Sequence, residues 1–274
     1  MNIVSVGEIT VDRYLNQGLS FVGGIGLNFA VQAKRCGAEN VSMVSCVGDG
    51  PLGARVLATL AKEQVDTTHL SVLAGKTAEI DIEVGKDAER FFPAGGYRAN
   101  VLKQFHLSGA AKHFICKHDL VITQYDGETA DSLSMQLLQL PTDTLKRALD
   151  FGDWSAGRQK PLSAATLDAI DLAFFSGDDE TVKRLEPLAE HAECLIVVTL
   201  GAGGSVALTG SESHFQPALE VDRLVDSTGC GDAFQAAFSL SYFHDGTIAA
   251  ALLRGAEQAA HVLQHFGAFN QEPL

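Results

Sequence analysis

Residues 223–238 read RLVDSTGCGDAFQAAF. Gly229, Cys230 and Gly231 stand directly before an acid, Asp232, and an apolar run opens behind it. The preceding segment ALEVDRLVD has strand character and DAFQAAFSL has helical character, so the glycines fall where a strand is expected to hand over to a helix N-terminus. The first N–H groups of a helix lack internal partners and carry about half a positive charge from the aligned peptide dipoles. Glycine lets a ligand approach the main chain, so these amides suit an anion held without a basic side chain. A carboxylate beside a phosphate would oppose binding, but it makes chemical sense if Asp232 takes the proton of an attacking hydroxyl. A solvent-facing helix acid behind a tight turn is the plainer alternative.

Outward from this junction, short apolar runs alternate with amphipathic segments. NIVSVGEI, VSMVSCV, HDLVITQ, RALDFG, DLAFFS and CLIVVTL are the expected strands. GLNFAVQAKRC, LGARVLATLAKE and TVKRLEPLAEHA are expected helices between them, and DAFQAAFSLSYF and IAAALLRGAEQAAHVLQHF close the chain. Buried Val/Ile/Leu strands separated by helices predict a mostly parallel sheet covered on both faces. The rhythm breaks at 77–92, TAEIDIEVGKDAERFF, where Ile80, Ile82 and Val84 alternate with Glu79, Asp81 and Glu83. That alternation predicts a half-exposed strand pair, the kind of small β excursion that serves as a lid. Residues 12–21 are expected to add another lid strand.

The chain has 274 residues with 46% hydrophobic, enough for one large α/β domain. With 20 basic and 34 acidic residues its net charge is −14, which argues against nucleic acid or an anionic membrane as partner and suits small ligands. Five scattered cysteines without a CxxC pair, and an N-terminus without the pattern of a secretory signal, predict a reducing cytoplasm. Cys230, at a helix N-terminus, is expected to ionise more readily than an ordinary thiol.

DSTGCGDAF resembles the C-terminal signature of the PfkB/ribokinase family of sugar kinases, D-T-x-G-A-G-D-x-F, with Ser227 and Cys230 as the departures. FVGGIGLNFAVQAKRCGA resembles the family's first signature, with Gly23, Gly24 and Asn28 in register. VGDGPLG is similar to its V-G-x-D-x-x-G stretch, with Asp49 one position early. VVTLGAGGSVAL resembles its T-x-G-x-x-G nucleotide turn. The likeness runs from about residue 3 to residue 269.

The resemblance implies a ribokinase-like three-layer α/β sandwich, one kinase domain over 1–274, with lid segments at about 12–21 and 77–93. It implies ATP as phosphoryl donor, Asp232 as catalytic base and Gly229, Cys230 and Gly231 as the anion hole. Asp12, Gly23, Gly24 and Asn28 would bind the sugar, and Thr199, Gly201 and Gly203 the nucleotide. On the residues alone, a turn acid and a helix cap are the favoured readings of Asp12 and Asn28, and a bare turn is the plainer alternative for the glycines of 201–204. The family's N-x-x-E motif for water-mediated Mg2+ falls on FFSGDDE, where Asp179 stands for the acid and Glu180 is a rival. A K+ site near Asp226 and a homodimer through the lid also follow from the resemblance. Within the family the fructoselysine 6-kinase branch is most similar, through LDFGD and the lid strands. Its acceptor would be a sugar joined to an amino acid, and the acidic lid (Glu79, Asp81, Glu83) would favour a cationic ligand. Ribose, fructose, ketodeoxygluconate or a nucleoside are the other acceptors, and a non-catalytic sensor on the same fold is the competing class.

Three other signals are set aside. AGKT at 74–77 lacks the first glycine of a phosphate loop. His261 and His265 lack the glutamate of a zinc protease helix. His113, Cys116 and His118, placed on an expected strand and its edge, lack a fourth metal ligand.

Overall fold

The computed structural model describes residues 1–141 and 144–274. The chain alternates as expected. β1 (Asn2–Val6) is followed by β2 (Thr10–Tyr14) and β3 (Leu19–Gly23), then α1 (Ile25–Arg35), β4 (Asn40–Gly48), α2 (Pro51–Lys62) and β5 (Leu70–Leu73). A second excursion supplies β6 (Glu79–Val84), β7 (Arg90–Phe91) and β8 (Tyr97–Arg98). Next come α3 (Gly109–Ile115), β9 (Leu120–Gln124), α4 (Leu133–Leu138), β10 (Lys146–Asp153), α5 (Ala164–Asp168), β11 (Leu172–Ser176), α6 (Asp179–Ala189) and β12 (Leu195–Thr199). The hairpin β13 (Ser205–Thr209) and β14 (Glu212–Gln216) precedes α7 (Cys230–Asp245) and α8 (Ile248–Val262).

The large sheet runs β14-β13-β12-β11-β10-β9-β1-β4-β5. From β12 to β5 every pairing is parallel, and β13 and β14 join antiparallel at one edge. Helices α1, α2, α7 and α8 pack on one face through Leu27, Val31, Leu60, Phe238 and Leu252. Helices α3 to α6 cover the other through Ile115, Leu137, Leu167 and Leu185. Both faces are therefore dry, which explains strands that read as continuous apolar runs. No helix among the described residues is long and apolar enough to cross a membrane.

The chain leaves β1 toward β4 on one side and returns as β9 on the other. The strand order therefore reverses at β1, and in open parallel sheets ligands bind at the carboxyl ends of strands at such a switch. Above this edge lies a small sheet, β3-β2-β6-β7, with β8 also on β6. Tyr14, Phe21 and Ile82 form its own apolar cluster, with Ile80 and Val84 against it. The alternation over residues 79–84 thus marks a sheet with one face packed, and residues 12–21 supply parts of two strands rather than one.

Two expectations fail. The segment ALEVDRLVD forms no strand: residues 217–227 run to α7 without joining a sheet, although the Val225 and Ser227 N–H groups donate to the Leu263 and Ala88 carbonyls. Pro217 offers no N–H to a ladder, and Leu224 is 59% exposed with no neighbouring strand to cover it. The strand before the junction is β14, which the sequence pattern missed. His113 and Cys116 lie on α3 and its C-cap, not on a strand. His118 is held by the Phe114 carbonyl (3.0 Å) and the Ser42 hydroxyl (3.0 Å).

Candidate active site

Helix α7 begins at Cys230, with Gly229 as its N-cap at φ 78°. A Cβ there would lie 2.2 Å from the Ala268 Cβ, so only glycine fits both the left-handed turn and the close approach. Gly231 differs, because a Cβ on it would meet nothing within 4 Å, which leaves open space over the first turn. The main-chain N–H groups of Gly229, Gly231 and Asp232 have no hydrogen-bond partner among the described residues, and that of Cys230 makes a long 3.3 Å turn bond to Ser227. These bare, dipole-charged amides are a cradle suited to an anion.

Asp232, 8% exposed, sits in the first turn of α7. The Asn28 Nδ2 donates to its Oδ2 at 2.9 Å, which joins α1 to α7. Burial, and next the charge of Asp150, push its carboxyl up to about 8. Asn28 is itself buried, and its Oδ1 has no partner. A buried acceptor left bare is uncommon in native structures and here marks a place for a donor such as a ligand hydroxyl.

Asp12 lies on β2 and is 3% exposed, with the Thr10 hydroxyl donating to its Oδ1 at 2.6 Å. Burial pushes its carboxyl up to about 7. Gly23 makes room for it, since a Cβ on Gly23 would fall 2.1 Å from the Asp12 Oδ2. Gly24 is the N-cap of α1, the helix that presents Asn28.

Asp226 is fully buried and accepts four hydrogen bonds. Its Oδ1 takes the Thr228 N–H (2.9 Å) and hydroxyl (2.7 Å); its Oδ2 takes the Tyr14 hydroxyl (2.6 Å) and the Gly267 N–H (2.9 Å). An ionised carboxylate offers about four lone-pair positions, and all are in use. A monovalent cation near Asp226 would therefore meet no free carboxylate oxygen there. The residue ties the small sheet, the cradle turn and the 266–269 loop together.

Thr199 closes β12, where its Oγ1 pairs with the Ser176 hydroxyl at 2.9 Å. Gly201 to Gly203 form one 3-10 turn beyond it. Gly204 follows at φ 100°, and a Cβ there would lie 2.2 Å from the Gln216 carbonyl oxygen. Gly204→Ala is expected to cost on the order of 2–4 kcal/mol and to lower the unfolding temperature by roughly 5–10 °C. Differential scanning calorimetry checks this, and an unchanged transition contradicts the packing described. Asp179 and Glu180 open α6 and are exposed. Glu180 is paired with Lys183 at 2.6 Å, whereas Asp179 makes no ion pair among the described residues.

The structure corrects two charge expectations. Cys230 does not sit as an activated thiol: burial pushes it up to about 12, which outweighs its place at the helix start. Two of the three acids of β6, Glu79 and Asp81, are already paired with basic residues. Arg98 forks onto Asp81 at 2.8 and 3.0 Å, Arg13 approaches Asp81 at 3.3 Å and Glu79 at 3.7 Å, and the Arg98 bond holds the Asp81 carboxyl below its ordinary value.

Other groups were missed in the sequence. Glu8 follows β1, and burial raises its carboxyl while the Tyr97 phenol from β8 faces it. Asp150, on β10, is 6% exposed. Arg90, on β7, donates to the Ser227 carbonyl at 2.6 Å, beside a Ser227 N–H to Ala88 O bond of 3.0 Å. The small sheet thus touches the cradle turn directly. Acids after apolar runs were the available signal, but the sequence does not show which of them are covered.

An amide cradle beside a buried acid, at the switch point of a parallel sheet, is the equipment of a phosphoryl-transfer enzyme. Residues 2–149 and 163–273 match the pfkB family carbohydrate kinases, and the chain belongs to that family. It is 29% identical to the fructoselysine 6-kinase of Escherichia coli (strain K12) over 97% of this chain and 99% of that one. It is 28% identical to the fructosamine kinase FrlD of Bacillus subtilis (strain 168), over 98% and 93%. Among solved structures, the Arabidopsis thaliana ribokinase complexed with ribose and ATP superposes with a TM-score of 0.79 at 20% identity, covering 97% of this chain and 94% of the other. The Sinorhizobium meliloti adenosine kinase gives 0.80 at 16% identity, covering 97% and 95%. The fold is ribokinase-like, and the protein is an ATP-dependent phosphotransferase acting on sugar hydroxyls.

Proposed function

We propose that the chain phosphorylates a sugar–amine adduct of the fructoselysine type, with Asp232 as the base that draws the proton from the attacking hydroxyl. The observation that carries this reading is the Asn28–Asp232 pair. A buried carboxylate and a buried, partnerless Asn28 Oδ1 stand beside three free amides. An acceptor hydroxyl that donates to one of these oxygens is oriented toward an anion in the cradle, and in-line placement with charge stabilisation supplies most of the catalysis in such transfers. The amides of Gly229, Gly231 and Asp232 hold the developing phosphoryl charge. Asp12 and Asn28 place the sugar, while Thr199, Gly201 and Gly203 line the nucleotide. The names of the two relatives favour a sugar–amine acceptor, and the carboxyls of Glu8 and Asp12 suit its cationic nitrogen.

Magnesium, held through water, fits Asp179 better than Glu180, since Lys183 occupies the latter. When bound, it offsets phosphate charge. The small sheet serves as the lid, closed through Arg90, Ala88 and Tyr14. Its exposed apolar residues Leu15, Phe91 and Phe92 support a lid-to-lid homodimer. Five free cysteines support a reducing, cytoplasmic setting.

A panel assay of ADP release from ATP and Mg2+ tests the reading. Fructoselysine and other fructosamines are expected to give kcat/KM at least tenfold above ribose, fructose, ketodeoxygluconate and nucleosides. A preference for one of the latter overturns the acceptor, and no turnover with any acceptor overturns the kinase in favour of a sensor.

A further inference from the structure

We propose that Asp150 is a positioning residue for the transfer step, a second buried carboxylate that faces Gln235 on the helix of Asp232 and makes Asp232 a stronger base. The inference rests on Asp232 being the base.

Asp150 lies where the β10–β11 ladder breaks register, between Asp150 and Asp153. Its Oδ1 accepts the Gly152 N–H at 2.8 Å. Gln235, one turn beyond Asp232 on α7, faces the same carboxyl across the cleft that both residues line. The Gln235 Oε1 has no partner, so the amide nitrogen is the end turned to Asp150. Both groups line a narrow cleft with Ser5, Thr123 and Gln124, at the switch point between β1 and β9. The cleft has room for about one water, too little to hydrate a charge.

Neither Asp150 nor Asp232 forms an ion pair among the described residues. Asp150, Asn28, Arg90, Glu8 and Cys230 are among the groups that face Asp232. Around Asp150 stand Gly152, Gln235, Lys160 and Arg90. The two cations are committed elsewhere. Lys160 Nζ donates to the Tyr125 carbonyl at 2.8 Å, and Arg90 Nη1 to the Ser227 carbonyl at 2.6 Å. Burial raises both carboxyls, and the Asp150 charge is the next largest cause at Asp232. Two like charges in a dry site resist joint ionisation, so the pair releases its last proton late. A late-titrating carboxylate is a better acceptor for an alcohol proton. In the reaction the hydroxyl O–H bond breaks as the oxygen–phosphorus bond forms, ADP leaves, and the proton resides on Asp232.

Asp150→Asn tests this through the pH dependence of kcat/KM from pH 5 to 9. The acid limb is expected to move down by at least about one pH unit, with a lower plateau from the weaker base. The Mg2+ concentration for half-maximal rate is expected to stay within about twofold. An unmoved limb with uniformly lower rate shows a merely structural role and overturns the inference. A tenfold greater Mg2+ requirement shows a metal ligand and also overturns it. Asp232→Asn separates the two claims. If that variant stays active, the base reading itself fails; if it is inactive while the Asp150→Asn limb stays put, only the pairing fails. Carboxyl carbon NMR of aspartate-labelled Asp232→Asn protein reads the pair without activity. Asp150 is expected to titrate at lower pH there than in the native chain, and no movement overturns the coupling.

Discussion

Asp232→Asn lowers kcat by at least about a hundredfold, the usual size of general-base assistance, and it does so in a protein that is more stable at alkaline pH. The first effect follows from the amide's inability to take a proton. Asn28 keeps a partner, because the new side chain still offers an oxygen to its Nδ2, so the geometry of the pair survives. The second effect follows from burial. The Asp232 carboxyl is raised from 3.8 to about 8 in the folded chain. Between those limits the folded state binds the proton that the unfolded state releases, so stability is lost as pH rises across that window. An asparagine has no such titration. At pH 8.5 the variant is therefore expected to unfold at a higher temperature than the native chain, with the gap closing toward pH 4. Steady-state kinetics and calorimetry at both pH values check the two halves. A near-native kcat contradicts the role of Asp232 as base, and a gap independent of pH contradicts the account of its burial.

Asp226→Asn is expected to destabilise the protein by about 3–5 kcal/mol, the range for breaking a buried charged network. The substitution is nearly isosteric, so volume is not the cause. Each Asp226 oxygen receives one main-chain N–H that cannot turn away, Thr228 on Oδ1 and Gly267 on Oδ2. Whichever way an amide is oriented, its NH2 faces one of them, donor against donor, and a buried N–H is stranded. The hydroxyls of Tyr14 and Thr228 can rotate; the amides cannot. Urea unfolding measures the loss, and a midpoint within error of the native value contradicts the bonding described. Because Tyr14 belongs to the small sheet, the same variant should loosen that sheet's hold on the cradle turn.

Much of this was legible in the sequence where local chemistry dictates local shape. Gly229 to Asp232 gave the bare helix start, because unpartnered first-turn amides and a φ of 78° both demand what those residues provide. The six apolar runs gave six of the seven parallel strands of the large sheet, since burial on both faces leaves no alternation to misread; the short, half-exposed edge strand β5 was missed. Asn28 and Asp12 were legible only as candidates. Their unions, Asn28 with Asp232 and Asp12 in the space left by Gly23, come from crossing order rather than spacing. Asp150 and Glu8 escaped notice for the same reason. A carboxylate after an apolar run looks like any loop acid until β1, β9 and β10 lie side by side with α7 over them. The pairing of Arg13 and Arg98 with the acids of β6 depends on strand register, Arg13 opposite Asp81 and Arg98 opposite Glu79. The residues before Asp226 misled because short apolar alternation predicts a strand only when a neighbouring strand is free to pair.

The structure of the protein with ADP, Mg2+, an aluminium fluoride mimic of the phosphoryl group and a fructosamine bears most directly on the central claim. The amides of Gly229, Gly231 and Asp232 are expected within about 3 Å of the fluorides, with an Asp232 oxygen within about 3 Å of the acceptor hydroxyl. A mimic bound away from those amides, or an acceptor hydroxyl that meets some other base, would contradict it.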